Sequence, residues 1–439
     1  MRFKLLADLP PNARNSILWE PLWAVPGTIS IYYATLYQKA AGLDTLQIGL
    51  IASAGLYLAF CAQLVAGGIT NRLGRRRTTL IFDLLSWSVP MFIWSFADSF
   101  WLFLLAGLCS ALSRVVNLSF FLLVTEDATE EQRPRIFAAI KLVVMAAGLL
   151  TPLAGVAMAS FGTLPTLRGV YLLGGVSMTA LFLIRNHLTV ETAAGHQATA
   201  AHASTGILTG LAKGLGMLGR ACRTRQLWPV VAICLLTNLA VQINLFQVVN
   251  LADDLHYGTA SIAALPAVAA VTAFACYLGL MPRWRDRPMA RSVLIGLTVS
   301  SLGWLAFLAV PAGGLGVLLV STVLTAAGPF LLESYRDALV VSSIPPVDRA
   351  ELSSAIQSAT ALVAIPSGYL AALLYDHDPQ LLFGAVLACY AVSAAVALVL
   401  RGQPTSAVPQ ARSAASVAAP SAPSAVSVAR TTGSDAARP

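Results

Sequence analysis

The chain has 439 residues, of which 57% are hydrophobic and only 11% charged, with a formal net charge of +8. Soluble globular proteins carry about 25% charged residues, so the composition excludes a soluble domain and points to an all-α membrane protein. Period-2 alternation is absent, which argues against a membrane β-barrel.

A bilayer core about 30 Å thick takes about 20 helical residues, each rising about 1.5 Å. Twelve apolar runs meet that requirement, near 17–38, 46–66, 78–97, 100–124, 136–160, 169–185, 228–251, 259–281, 291–311, 314–335, 352–375 and 380–401. The N-terminus has basic residues but no small-residue cleavage site after an apolar stretch, so the first run serves as an uncleaved targeting signal. Glu20 lies in the inner part of that run, beside Pro21.

Between the second and third runs stands Gly67-Gly68-Ile69-Thr70-Asn71-Arg72-Leu73-Gly74-Arg75-Arg76-Arg77. Three adjacent arginines cannot lie in hydrocarbon, so this is a turn at a membrane surface. Gly67 and Gly68 would let two helix ends approach closely, and Gly74 would let the chain turn back. The stretch resembles the loop-two/three signature of the major facilitator superfamily, roughly G-x-x-x-D-R-x-G-R-R. Gly67, Arg72, Gly74, Arg75 and Arg76 fit it, while Asn71 stands where the family has an aspartate. A basic turn between any two membrane helices would also carry arginines. The resemblance implies two pseudo-symmetric six-helix bundles, no resident cofactor, and a turn that acts as a conformational latch. Asp83, in the third run, and Glu126 and Asp127, at the inner end of the fourth, are candidate acids for the arginines. Arg72 and Arg76 are the expected donors, to Asp127 or Asp83.

An ionisable residue well inside a span costs about 2.5–3.5 kcal/mol on insertion scales. Arg114 lies near the middle of the fourth run, on a stripe with Ser110 and Asn117. It resembles the arginine of a span-four motif of the family's proton antiporters, although the glutamine and glycine that normally follow are absent. Glu20 is its expected partner by depth, and the resemblance places both spans around a central cavity. The alternatives are a helix-joining pair and an interfacial carboxylate. In the fifth run Pro152 and Gly155 resemble the antiporter motif G-P-x-x-G-G, with Thr151 and Val156 in place of glycines. Lys141, a few residues into that run, reads as snorkelling to the surface.

Residues 186–227 break the rhythm of short loops. They divide an N-terminal bundle (1–185) from a C-terminal one (228–401), and Ile207 to Leu218 has the spacing of an amphipathic helix. Residues 402–439, rich in Ala, Ser and Pro, read as a disordered tail. Arg135 and Pro152 recur at Arg349 and Pro366 with the same separation, as expected of duplicated halves.

The seventh run holds Asn238, Gln242, Asn244, Gln247 and Asn250, an unusual number of amides for one membrane helix. Asn238 and Gln242, nearest the midplane, are the candidate solute-binding groups, with Glu20, Arg114 and Asn117 as candidates for the substrate or proton path. Gly328-Pro329 predicts a kink in the tenth run. Glu333, Arg336 and Asp337 beyond it read as an inner gate cluster.

With the N-terminus inside, 23 of the 28 Lys and Arg fall on the cytoplasmic side. That is a strong positive-inside bias, with both termini cytoplasmic, and it does not imply a nucleic-acid partner. No nucleotide-binding G-x-x-x-x-G-K-[ST] loop, metal-ligand spacing, G-x-S-x-G elbow or CxxC pair occurs. The expectation is a monomeric secondary transporter of the inner membrane, not an enzyme, that moves a small organic solute by alternating access. Proton-coupled export is the finer expectation. The competing class is a membrane sensor or an intramembrane lipid-modifying enzyme.

Overall fold

The computed structural model describes residues 8–201, 228–280, 283, 288–343 and 349–401. The expected amphipathic helix at 207–218 and the tail 402–439 lie outside the described residues. Among the described residues, all regular structure is helical. Ten helices are long and apolar enough to cross a membrane, and a bent pair, Trp228–Ile243 with Gln247–Asp254, makes an eleventh.

The expected first span is built from three shorter helices, Pro11–Trp19, Pro21–Tyr32 and Ala34–Ala40. The Ala24 N–H donates to the Glu20 carbonyl and the Tyr37 N–H to the Tyr33 carbonyl, which carries the helical ladder across both breaks. Glu20 is the joint residue of the first break.

The second span, Thr45–Leu73, starts on a capping box. The Asp44 carboxylate accepts from the Gln47 N–H at 2.7 Å, and the Gln47 side chain returns a bond to the Asp44 N–H, which satisfies donors a helix start leaves free. It ends at Gly74, whose φ of +84° lets the third span, Arg75–Phe96, turn back. That span holds a π-helical turn, Leu84–Ser88.

The fifth and eleventh spans break at corresponding places. Thr151–Phe161 begins anew around Pro152, and Ser367–His377 follows Pro366. The spacing recognised as a repeat therefore marks the same joint in both halves, where a proline suits a helix start because its missing N–H leaves no bond unmade. The tenth span, Leu315–Ser343, by contrast runs as one helix with Pro329 inside.

Spans alternate in direction, so the turns at 74, 126–131 and 189–192 share one face, called here the basic face. The turns at 42, 162, 258 and 378 share the opposite face. Helices of the two halves meet as Thr45–Leu73 against Ser367–His377 and Thr151–Phe161 against Thr259–Ala275. A Cβ on Gly49 would lie 2.5 Å from the Gly368 carbonyl oxygen, so the backbones themselves touch there. Gly67 plays no such part: a Cβ on it would meet nothing within 4 Å.

Candidate functional site

On the basic face the arginine turn is tied to two carboxylates. Arg75, buried, gives its Nε to both oxygens of Glu126 at 3.1 and 3.2 Å and its Nη2 to Glu126 Oε1 at 3.0 Å. Its Nη1 donates to Asn71 Oδ1 at 3.1 Å, so the amide in the family's aspartate position accepts one bond. The Thr192 hydroxyl donates to Glu126 Oε2. Glu191 then accepts from the backbone N–H groups of Arg75 at 2.9 Å and Arg76 at 3.0 Å. A carboxylate at the first N–H groups of a helix meets free donors and the positive end of the dipole. Arg76 Nε donates to the Asn186 carbonyl at 2.9 Å.

The acid is one of the candidates, Glu126, but the donor differs from the expected Arg72 and Arg76. Arg72 and Asp127 are exposed, and Arg75 with Glu126 makes the ion pair. Asp83 lies about 12 Å along the helix axis from Arg75, out of reach of the turn, and pairs instead with Arg185 at the end of the sixth span.

Deeper in the same half, Glu20, Asp83 and Arg185 are 7%, 2% and 5% exposed. The Arg185 guanidinium sits 4.8 Å from the Phe120 ring centroid and 5.2 Å from that of Phe182, contacts suited to a weakly hydrated planar cation. Glu20 Oε2 is buried without a hydrogen-bond partner. The expected Glu20–Arg114 pair does not form: Glu20 is buried, and the Arg114 side chain is exposed.

Asn12, on the first helix, clasps the chain after the sixth span. Its Nδ2 donates to the Val190 carbonyl at 2.9 Å and its Oδ1 accepts from the Val190 N–H at 3.0 Å. Asn15 adds a bond to the Leu188 carbonyl at 2.8 Å.

Arg114 and Asn117 are exposed on a helix that spans the bilayer, and Asn238 and Gln242 are half-buried. Asn238 Oδ1 is enclosed without a partner. The other amides of the seventh span are separated from these by a 43° bend at 244–246. Asn244 donates to Gln247 across the bend at 3.1 Å, and Asn250 donates to Asp254, which also accepts from the Tyr375 hydroxyl at 2.5 Å. The expected gate residues part company. Glu333 meets Lys141 of the fifth span at 3.7 Å, Arg336 Nη1 lies 3.4 Å from the Thr237 hydroxyl, and the Asp337 side chain lies outside the described residues.

At the opposite face a cavity of about 370 Å³ opens between the halves, lined among others by Tyr33, Lys39, Met158, Asp253 and Thr259. It holds none of the residues singled out by sequence. Around it the halves are joined by Tyr32 Oη donating to the Ile262 carbonyl at 3.1 Å and the Tyr369 N–H donating to Ser53 Oγ at 2.9 Å. Among the described residues no cluster of three or more His, Cys, Asp or Glu is arranged to hold a metal.

Arg185, Glu191, Thr192 and Asn12 were not singled out in the sequence. The signal for Arg185 was its position, the last residue of an apolar run. The signal for Glu191 was an isolated acid in an otherwise uncharged stretch.

Residues 24–328 match the family model described as Major Facilitator Superfamily. No curated protein matches the chain in sequence. Among solved structures, a POT family transporter in complex with a thioalcohol conjugated peptide is similar, with a TM-score of 0.66, 14% identity, and coverage of 91% of this chain and 98% of that one. The nucleoside transporter NupG aligns with a TM-score of 0.67, 14% identity, and coverage of 89% of this chain and 98% of that one. A peptide transporter POT in complex with sulfate gives 0.66, 13% identity, and coverage of 91% and 96%.

Proposed function

Because the chain belongs to the major facilitator superfamily, we propose that it is a proton-driven secondary transporter that exports a small organic solute across the inner membrane by alternating access. The difference between its two faces carries this reading. At the opposite face the halves interlock backbone to backbone at Gly49 and Gly368 and through the Tyr32 and Tyr369 bonds. At the basic face a bond between them is the Lys141–Glu333 pair, whose side chains are 51% and 54% exposed. Such a pair contributes little and separates readily, as one end of a rocking transporter must.

The positive-inside bias puts the basic face in the cytoplasm. Six spans on each side of the 186–227 linker form the two rocking bundles of a monomer. Arg114 and Asn117 line the solute path, since an exposed arginine in mid-span needs water or a polar ligand. Asn238, with an unsatisfied amide oxygen, and Gln242 face them from the C-terminal half as solute-binding groups. The turn with Gly67, Asn71, Arg72, Gly74, Arg75 and Arg76 is the latch, and Glu333, Arg336 and Asp337 belong to the inner gate.

The test is reconstitution into proteoliposomes loaded with a metabolite extract under an imposed proton gradient. Solute movement that collapses with the gradient is the expected result. Chemical conversion without movement overturns the reading in favour of a lipid-modifying enzyme.

A further inference from the structure

We propose that the cavity at the opposite face binds a small dissolved zwitterion, an ammonium and a carboxylate joined by a short apolar spacer, and that the bound molecule links the two halves there.

The cavity is lined by two charges of opposite sign, one from each half. Lys39 lies in the last turn of Ala34–Ala40, and Asp253 in the π-helical end of the seventh span, Asn250–Asp254. Both line one space, yet among the described residues neither enters an ion pair. Lys39 makes a long contact, 3.5 Å, with Thr45 Oγ1. Other charged groups of this face are committed. Asp44 caps the second span, Arg168 donates to the Ala97 carbonyl, and Asp254 accepts from Asn250 and Tyr375. An ammonium and a carboxylate that share a cavity without meeting leave room for a molecule carrying the complementary pair.

The walls suit the rest of such a molecule. Leu36, Met158 and Ile262, each less than a tenth exposed, offer apolar surface to the spacer, and Thr163 and Thr259 add hydroxyls. The volume, about 370 Å³, falls within the range of small-molecule sites, about 300–1,000 Å³. A zwitterion answers both charges with charge-assisted hydrogen bonds, which are the stronger kind. A molecule with one charge leaves either Lys39 or Asp253 unanswered.

This site is separate from the proposed solute path, since Arg114, Asn117, Asn238 and Gln242 do not line it. A ligand held by Lys39 and Asp253 adds a link between the halves to those made by Tyr32 and Tyr369. Binding this arrangement better than an opened one shifts the population toward it. An external zwitterion therefore slows the transport cycle. That consequence rests on the transport reading, while binding does not.

The test is calorimetric titration of the purified full-length protein in maltoside micelles with 4-aminobutyrate and 6-aminohexanoate, and with hexanoate and hexylamine as singly charged controls. At least one zwitterion should bind about tenfold or more tightly than both controls. Lys39→Gln and Asp253→Asn should each weaken it by a similar factor, with circular dichroism and melting showing that both remain folded. Combining Lys39→Asp with Asp253→Lys should restore binding, because a zwitterion can turn round. Zwitterions that bind no better than the controls, or equally well to both single variants, overturn the site. Phosphatidylethanolamine added to the micelles should leave the affinity unchanged. Competition by it assigns the cavity to a lipid headgroup and overturns the dissolved ligand. In proteoliposomes, binding without any solute flux overturns the transport reading and leaves the site standing. Flux that a saturating external zwitterion does not slow overturns the link between the halves and leaves transport standing.

Discussion

The Glu191 carboxylate bridges the backbone N–H groups of Arg75 and Arg76, 2.9 and 3.0 Å away. It thereby fastens the start of the chain's central segment to the start of the third span. The basic turn is held by the Arg75–Glu126 pair and, in addition, by a carboxylate 115 residues downstream of Arg76.

Glu191→Ala should therefore loosen the turn. Loss of a charged cap costs about 1–2 kcal/mol, and two N–H groups are left without their acceptor. Hydrogen exchange at residues 75–79 should quicken, while exchange in the opposite-face turns stays as in wild type. Equal protection in both proteins would show that other acceptors replace the carboxylate.

Gly74→Ala should be worse than its size suggests. The residue has a φ of +84°, and a Cβ there would sit 2.6 Å from Glu191 Oε2. The backbone conformation alone costs about 1–2 kcal/mol, and the carboxylate must move away. Thermal unfolding should fall further for Gly74→Ala than for Gly67→Ala, whose Cβ meets nothing within 4 Å.

Gly368→Leu should keep the opposite face from closing. Its Cβ would lie 2.6 Å from the Gly49 carbonyl oxygen and 2.8 Å from Ala52 Cβ. Cysteines introduced at Leu36 and Thr259 should become more reactive to a membrane-impermeant reagent, and flux should drop at least tenfold. Wild-type labelling with wild-type flux would show that this contact does not govern closure.

Arg114→Gln and Arg185→Gln should differ in kind. Removing one partner of a buried pair costs about 3–5 kcal/mol, so Arg185→Gln should lower folded yield sharply. Arg114 is exposed, and its loss should leave thermal stability within about 0.5 kcal/mol of wild type while reducing flux. Parallel melting and flux measurements separate the two.

Exchanging the charges of Lys141 and Glu333 should leave stability almost unchanged, since exposed pairs contribute less than about 1 kcal/mol. Each single reversal should slow flux by destabilising one state of the cycle, and the double reversal should restore it. A double variant as slow as the singles would assign these side chains roles other than their pairing.

Hydrophobic run length was enough to read the helical architecture, because a bilayer imposes one length on every spanning segment. The joint at Pro152 and its repeat at Pro366 were legible for the same kind of reason, since proline constrains the backbone whatever surrounds it. Partners were not. Depth along a helix placed Arg114 opposite Glu20, but depth is one coordinate of three, and the two side chains have different surroundings, Glu20 buried and Arg114 exposed. Asp83 was assigned to the arginines nearest in sequence, although about 12 Å of helix separates it from Arg75. Glu191 sits in an Ala- and Thr-rich stretch without periodicity, where no pattern announces a cap for a helix more than a hundred residues earlier. The seventh span read as one helix because its apolar content is continuous, and its bend at 244–246 puts the amides into two separate neighbourhoods.

The clasp between Asn12 and Val190 joins positions 178 residues apart. A ribosome must therefore complete six spans before Asn12 can find its partner. Until then the first helix is held to the fourth and fifth spans, through Leu9, Ala13 and Ile17 against Val124 and Ile136, but not to the sixth. The clasp can form only after the sixth span has been made, so it is a late contact in the assembly of that half. A ribosome stalled before residue 190 would release a bundle that has its helices but not its fastening.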